Sequence, residues 1–131
     1  MARYVIGPDV ALQLAQDGTT ISGNHTLLAP TLLRSQVLAR LFADVREGHV
    51  ADGDARLQLD GVRALKIRYL GDRVQQDTAW KIARKLGWAD TLDAEYLALT
   101  QLQADAFITL DAKFARAAKR IVPVAPFRVL G

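Results

Sequence analysis

Apolar and polar positions along this chain switch between a period near two and a period near 3.6, and the switches lay out its elements. Tyr4 to Ile6 is a short β-favouring run closed by Gly7-Pro8. After Asp9, VALQLAQD predicts a short helix ending at Gly18, and GTTISGN reads as a loop. HTLLA predicts a second strand stopped at Pro30. Thr31 is placed to cap a helix through LLRSQVLARLFADVREG. Leu33, Val37, Leu38, Leu41, Phe42 and Val45 form its apolar stripe, and Gly48 ends it. A further helix starts near Asp52 and carries Leu59, Val62 and Leu65. KIRYL fits either a helix end or a short strand, broken by Gly71.

The helix in DRVQQDTAWKIARKL turns Val74, Ala79, Ile82 and Leu86 inward and ends at Gly87. Asp90 or Thr91 caps the next helix, which carries Asp93, Tyr96, Leu97 and Leu99. AFITL is a buried-strand candidate, followed by a short helix in AKFARAAKR. IVPVAPF makes a final extended segment at a sheet edge, because its prolines cannot donate to a central ladder. Strands alternating with helices predict one α/β domain over residues 1–131, a mostly parallel central sheet flanked by helices in three layers.

Composition narrows the chemistry. The 131 residues are half hydrophobic and about a quarter charged, which suits a globular core. There is no cysteine, so disulfides, thiolate nucleophiles and cysteine-bound metals are excluded, and a reducing cytosol fits. The net charge of +3 favours nucleic acid only mildly. No apolar stretch approaches the ~20 residues of a membrane span, and MARYVIGPD lacks a signal-type apolar region. Phosphate-loop, dinucleotide-fingerprint and nucleophile-elbow motifs are absent, and neither Ser22 nor Ser35 has the setting of an activated nucleophile. His25 and His49 read as loop or surface histidines, and Trp80 and Trp88 as core.

The remaining candidates are carboxylates at structural junctions. Asp9 and Asp111 follow strands, and Asp93 opens a helix whose dipole favours its ionised form. In a parallel sheet the carboxyl ends of strands face a common crevice. Acids converging there repel one another unless a hard divalent cation such as Mg²⁺ intervenes. Such an ion acidifies a water and stabilises charge on a phosphodiester, with no side-chain nucleophile required. The competing reading makes each Asp a helix cap; Asp90 and Glu95 read as a cap and a solvated side chain, Asp72 and Arg73 as a helix start pairing locally. Arg34, Arg73, Lys113 and Arg116, close in sequence to the acids, are the candidates for an RNA backbone.

The order of elements, and above all TLDAEYLALTQLQADAFITLD, resembles the PIN-domain family, specifically VapC-like toxin ribonucleases. Asp93 and Asp111 match two of that family's acids. Gln36, in LLAPTLLRSQVLARL, stands where the family carries glutamate. In RYVIGPDVALQLA, Gly7 falls at the first family aspartate and Asp9 two residues later. The resemblance implies a Mg²⁺- or Mn²⁺-dependent endoribonuclease of a type II toxin–antitoxin system. Asp9, Asp93 and Asp111 would hold the metal, with Gln36 as a weaker ligand or water-orienting group. It also implies a small antitoxin partner, a homodimer and a cytoplasmic setting. The departures at Gly7 and Gln36 leave an alternative, a degenerate PIN domain that binds RNA or protein without cutting. A receiver-type signalling domain shares a strand-end Asp near Mg²⁺, but no suitable strand-end Lys is present.

Overall fold

Four short apolar segments pair side by side and in the same direction. In the computed structural model, which describes residues 1–18, 20–21 and 23–131, these are β1 (Ala2–Ile6), β2 (His25–Pro30), β3 (Ile67–Leu70) and β4 (Ala106–Ile108), in the spatial order β3-β2-β1-β4. All three pairings are parallel; Tyr4 sits between Leu27 and Ala106, and Val5 between Leu28 and Phe107. Consecutive residues Val5-Ile6, Leu27-Leu28-Ala29 and Phe107-Ile108 are all buried. Both faces of the sheet are therefore covered, as parallel sheets require.

Six helices supply the cover: α1 (Pro8–Asp17), α2 (Leu32–Arg46), α3 (Asp52–Ala64), α4 (Arg73–Leu86), α5 (Leu92–Gln103) and α6 (Ala112–Ala118). α1, α2 and α3 pack on one another, α4 packs on α5, and α5 lies against β1, β2 and β4. The result is the three-layer α/β/α architecture expected from the alternation of periods. α1 and α3 meet closely at Gly61, where an added Cβ would stand 3.1 Å from that of Ala15. No helix among the described residues is long and apolar enough to cross a membrane.

Several local expectations change. KIRYL resolves as β3. Pro30 is the last residue of β2, opposite Leu70, rather than a stop before it. AFITL yields only three strand residues, because Thr109 and Leu110 leave the ladder and bond to Asp9. IVPVAPF does reach the sheet edge: Phe107 donates to the Pro123 carbonyl and Ala125 donates to that of Phe107, both at 2.9 Å, with Val124 bridged between. Phe127–Leu130 then form a 3-10 turn. Thr31 and Thr91 stand at N-cap positions without a side-chain cap bond. Asp72 caps α4 by accepting from Gln75 N, and Asp90 accepts from Leu92 N; no ion pair joins Asp72 to Arg73 among the described residues. Expectations about Ser22 lie outside the described residues.

The apolar stripe of α2 splits. Leu33, Val37 and Leu41 are buried, whereas Leu38 and Phe42 are 55% and 68% exposed. The spacing of four keeps the first three in line, and a further 100° rotation carries Leu38 and Phe42 off the sheet. The same rotation removes Val74 from the inward face of α4, which consists of Gln75, Ala79, Ile82 and Ala83. Trp80 is 67% exposed rather than core; Trp88 is half-buried, edge-on to Phe114 at 6.0 Å between centroids.

Truncating Phe107, fully buried at the centre of this core, is expected to cost about 3–5 kcal/mol in urea unfolding. Phe42→Ala should cost less than about 1 kcal/mol. Equal losses for the two would contradict the packing described.

Candidate active site at the sheet switch point

The chain builds β1, β2 and β3 outward in one direction, then returns to place β4 on the other side of β1. The reversal leaves a crevice beyond the carboxyl ends of β1 and β4, where ligands settle in open α/β sheets. Asp9 enters from the first turn of α1, Thr109 to Asp111 from the exit of β4, and Asp93 from the first turn of α5.

Asp9 is the fastening of this crevice. Its Oδ1 accepts from Val10 N at 2.8 Å, satisfying an amide that the helix leaves unpaired. Its Oδ2 accepts from Thr109 Oγ1 at 3.0 Å and from Leu110 N at 2.9 Å, across a hundred residues of sequence. The Thr109 hydroxyl in turn accepts from Asp111 N at 3.1 Å. Gly7 makes this arrangement sterically feasible. A Cβ at residue 7 would lie 2.8 Å from Asp9 Oδ1. The carboxylate of residue 9 thus folds back over the space that a side chain on residue 7 would enter.

Asp111 caps α6, accepting through Oδ1 from Lys113 N at 2.9 Å and Phe114 N at 3.0 Å. Asp93 keeps an accessible surface, yet partial burial, followed by repulsion from Asp90, Asp111 and Asp9, holds its carboxyl above the usual value. The expected stabilisation of its anion by the α5 dipole is therefore outweighed. Repulsion between Asp93 and both Asp9 and Asp111 means that the three acids share one electrostatic neighbourhood. They are not, however, packed into one ligand sphere. Among the described residues, Asp44, Glu47 and His49 are the one set of three whose ligand atoms lie within 4.8 Å of one another. Direct ligation of Mg²⁺ by three carboxylates needs oxygens within about 4 Å, given metal–oxygen distances near 2.1 Å. An all-oxygen, acidic donor set fits a cation held by one or two of these carboxylates and its own waters.

Gln36 stands at the same edge, half-buried, and its Oε1 accepts from Tyr96 Oη at 2.5 Å. Burial, then the charges of Asp93, Glu95 and Asp9, with Tyr69 last, push the Tyr96 phenol far upward, so it remains a proton donor. Glu95 is not simply solvated, since burial raises its carboxyl too. It lines a polar cleft of about 260 Å³ with Thr31, Asp72, Arg73 and Gln75. Arg34 lies over the Tyr69 ring, 4.1 Å from its centroid. Lys113 and Arg116 are exposed on α6. Arg73 thus lies in a cleft that none of Asp9, Asp93 and Asp111 lines, while the two α6 cations follow Asp111 in sequence. A larger groove of about 520 Å³, between α2 and α3, contains none of the candidate acids.

Thr109, Tyr96 and Glu95 were not singled out as site residues by their sequence. Thr109 lies inside the Thr-x-Asp segment, and only the termination of β4 at Ile108 reveals its link to Asp9. Tyr96 has the spacing of a core residue, and its hydroxyl partner is sixty positions away.

No family model and no curated protein matches the chain. Among solved structures it is similar to PAE2754 from Pyrobaculum aerophilum, with a TM-score of 0.78, covering 97% of this chain and 90% of that one at 18% identity. That similarity shows a shared fold.

Two outcomes follow from the geometry. Gly7→Ala should destabilise by about 1–3 kcal/mol, the usual range for overpacking. In a double-mutant cycle most of this loss should vanish in an Asp9→Ala background, because the clash is with that carboxylate; additive losses would refute it. For Asp93, the folded state binds its proton at higher pH than the unfolded value of 3.8. Ionisation therefore subtracts stability above the folded pKa, and the deficit disappears below 3.8. Asp93→Asn should raise the melting temperature at pH 7 in EDTA, and the gain should fade as pH drops through the folded value.

Proposed function

We propose that this protein is a divalent-cation-dependent endoribonuclease similar to VapC toxins, cleaving RNA phosphodiesters with an activated water. The observation that carries the reading is the placement of Asp9. Its carboxylate is held at the β1–β4 switch point by Thr109 and Leu110, in the same electrostatic neighbourhood as Asp93 and Asp111. The first acid of the PIN pattern, missing at Gly7, would thus be supplied from residue 9.

Asp9, Asp93 and Asp111 would hold Mg²⁺ or Mn²⁺, one or two of them directly and the rest through its waters, and the ion when bound would acidify a water and neutralise charge on the scissile phosphate. The chain's own residues orient the reaction. Thr109 and Leu110 N fix the Asp9 carboxylate, and the amides of Lys113 and Phe114 fix that of Asp111. Arg73, in the polar cleft with Glu95, and Arg34, stacked on Tyr69, would receive flanking phosphates. Lys113 and Arg116 would extend such a track past Asp111. In this reading the protein is cytoplasmic and homodimeric, and a small antitoxin protein restrains it.

A second reading, a PIN-like domain that binds RNA or protein without cutting, is favoured by one observation: the three carboxylates do not share a 4.8 Å ligand set.

Cleavage of structured RNAs in Mg²⁺ should stop in EDTA. Asp93→Asn and Asp111→Asn should each lower it by about two orders of magnitude or more. Cleavage that persists in EDTA would exclude the metal mechanism, and RNA binding without measurable Mg²⁺ heat would select the second reading. Restoring the family pattern requires Gly7→Asp together with Asp9→Ser and Gln36→Glu, because Gly7→Asp alone collides with Asp9.

A further inference from the structure

Gln36 occupies the edge of the crevice with its two polar ends in different situations. Its carbonyl oxygen takes the hydrogen of Tyr96 Oη. Tyr96 is 1% exposed, with its ring against Phe107 at 6.1 Å between centroids. A phenol so deeply buried requires a hydrogen-bond partner, and Gln36 is the one it has. The bond fixes the amide: with Oε1 turned to the phenol, Nε2 is directed away from it. No acceptor among the described residues takes the Nε2 hydrogens, and the side chain keeps solvent access. Asp93 lies one turn before Tyr96 on the same face of α5, which brings it to the side of the helix that Gln36 meets.

We propose that Gln36 is a substrate-binding residue rather than a cation ligand: its Nε2–H donates to a non-bridging phosphate oxygen of the RNA strand, and Tyr96 is the residue that positions it. The proposal rests on the endoribonuclease reading above. An amide donor hydrogen repels a cation, and the Oε1 that would ligate one already accepts from Tyr96. A neutral donor also suits a crevice whose candidate residues are carboxylates. A Lys or Arg there would pair with the acids, whereas an amide stays available to an arriving phosphate. Acceptance of the phenol hydrogen by Oε1 polarises the amide and strengthens Nε2–H as a donor. Gln36 and Tyr96 are thereby coupled, although one is on α2 and the other on α5.

The test separates RNA affinity from metal affinity. Binding of a fluorescein-labelled single-stranded RNA of mixed sequence is followed by anisotropy in Ca²⁺, and Mg²⁺ binding to the RNA-free protein by calorimetry. Gln36→Ala should weaken RNA binding about tenfold, the loss of one hydrogen bond to a charged oxygen. Its Mg²⁺ affinity should stay within about twofold of the native value. Tyr96→Phe keeps the ring and frees the amide to rotate. It should weaken RNA binding about threefold, again without a change in Mg²⁺ affinity. Gln36→Glu should do the reverse, tightening Mg²⁺ and weakening RNA. Loss of Mg²⁺ affinity with unchanged RNA binding in Gln36→Ala would make Gln36 a metal-site group and overturn the proposal. RNA binding indifferent to both variants would overturn it while leaving the endoribonuclease reading in place. A native chain that binds no RNA would overturn both.

Discussion

The hydrogen bonds from Thr109 and Leu110 to the Asp9 carboxylate couple the two ends of the polypeptide. They tie the first turn of α1 to the exit of β4 at the boundary where strand order reverses. Without this carboxylate the Leu110 amide would lose its acceptor, and Val10 N would depend on solvent. Hydrogen bonds to a charged acceptor contribute more than neutral ones, so one side chain does much to set the register of the crevice. The same carboxylate is a candidate for the cation. Architecture and chemistry thus draw on a single group, and its geometry is fixed before any ligand arrives.

Charge at this crevice opposes the folded state. Asp93 sits where a helix dipole should favour its anion, yet burial and three neighbouring acids act in the opposite direction. The crevice thus holds repulsion among its acids that the scaffold around it must offset. Tyr96 illustrates the other half of the design. Its ring belongs to the core, its hydroxyl belongs to the edge, and a buried phenol transmits the rigidity of the core to an amide on a different helix.

Much of the architecture was legible. The α/β/α layering, the existence of the helices and the helix start at Asp72 follow from period, turn chemistry and side-chain type; the local pairing of Asp72 with Arg73 does not, because Asp72 instead accepts from Gln75 N. The inward faces of helices were less so. Leu38, Phe42, Val74 and Trp80 are apolar yet exposed, because composition reports preference and not the angle at which a helix meets the sheet. The candidate site was visible as Asp93 and Asp111 at junctions, and as Asp9 by position. What joined them was not visible: the Asp9–Thr109 bond spans 100 positions and the Gln36–Tyr96 bond spans 60. The back-folding of Asp9 over Gly7 depends on the absence of a Cβ, which in the sequence looks like a missing acid. The Asp44, Glu47 and His49 group escaped notice because it forms where α2 ends, with His49 N turned back to the Asp44 carbonyl at 2.9 Å.

The short extended stretch around Val124 has an implication for behaviour at high concentration. It occupies the outer rim of β4 with Pro123 and Pro126 on either side, residues that offer no amide for further pairing. An incoming foreign strand finds that border already closed. The opposite border, β3, is only four residues long and presents Arg68 to solvent. Templated growth of the sheet between molecules is therefore discouraged at both margins, an inbuilt resistance to amyloid-like association.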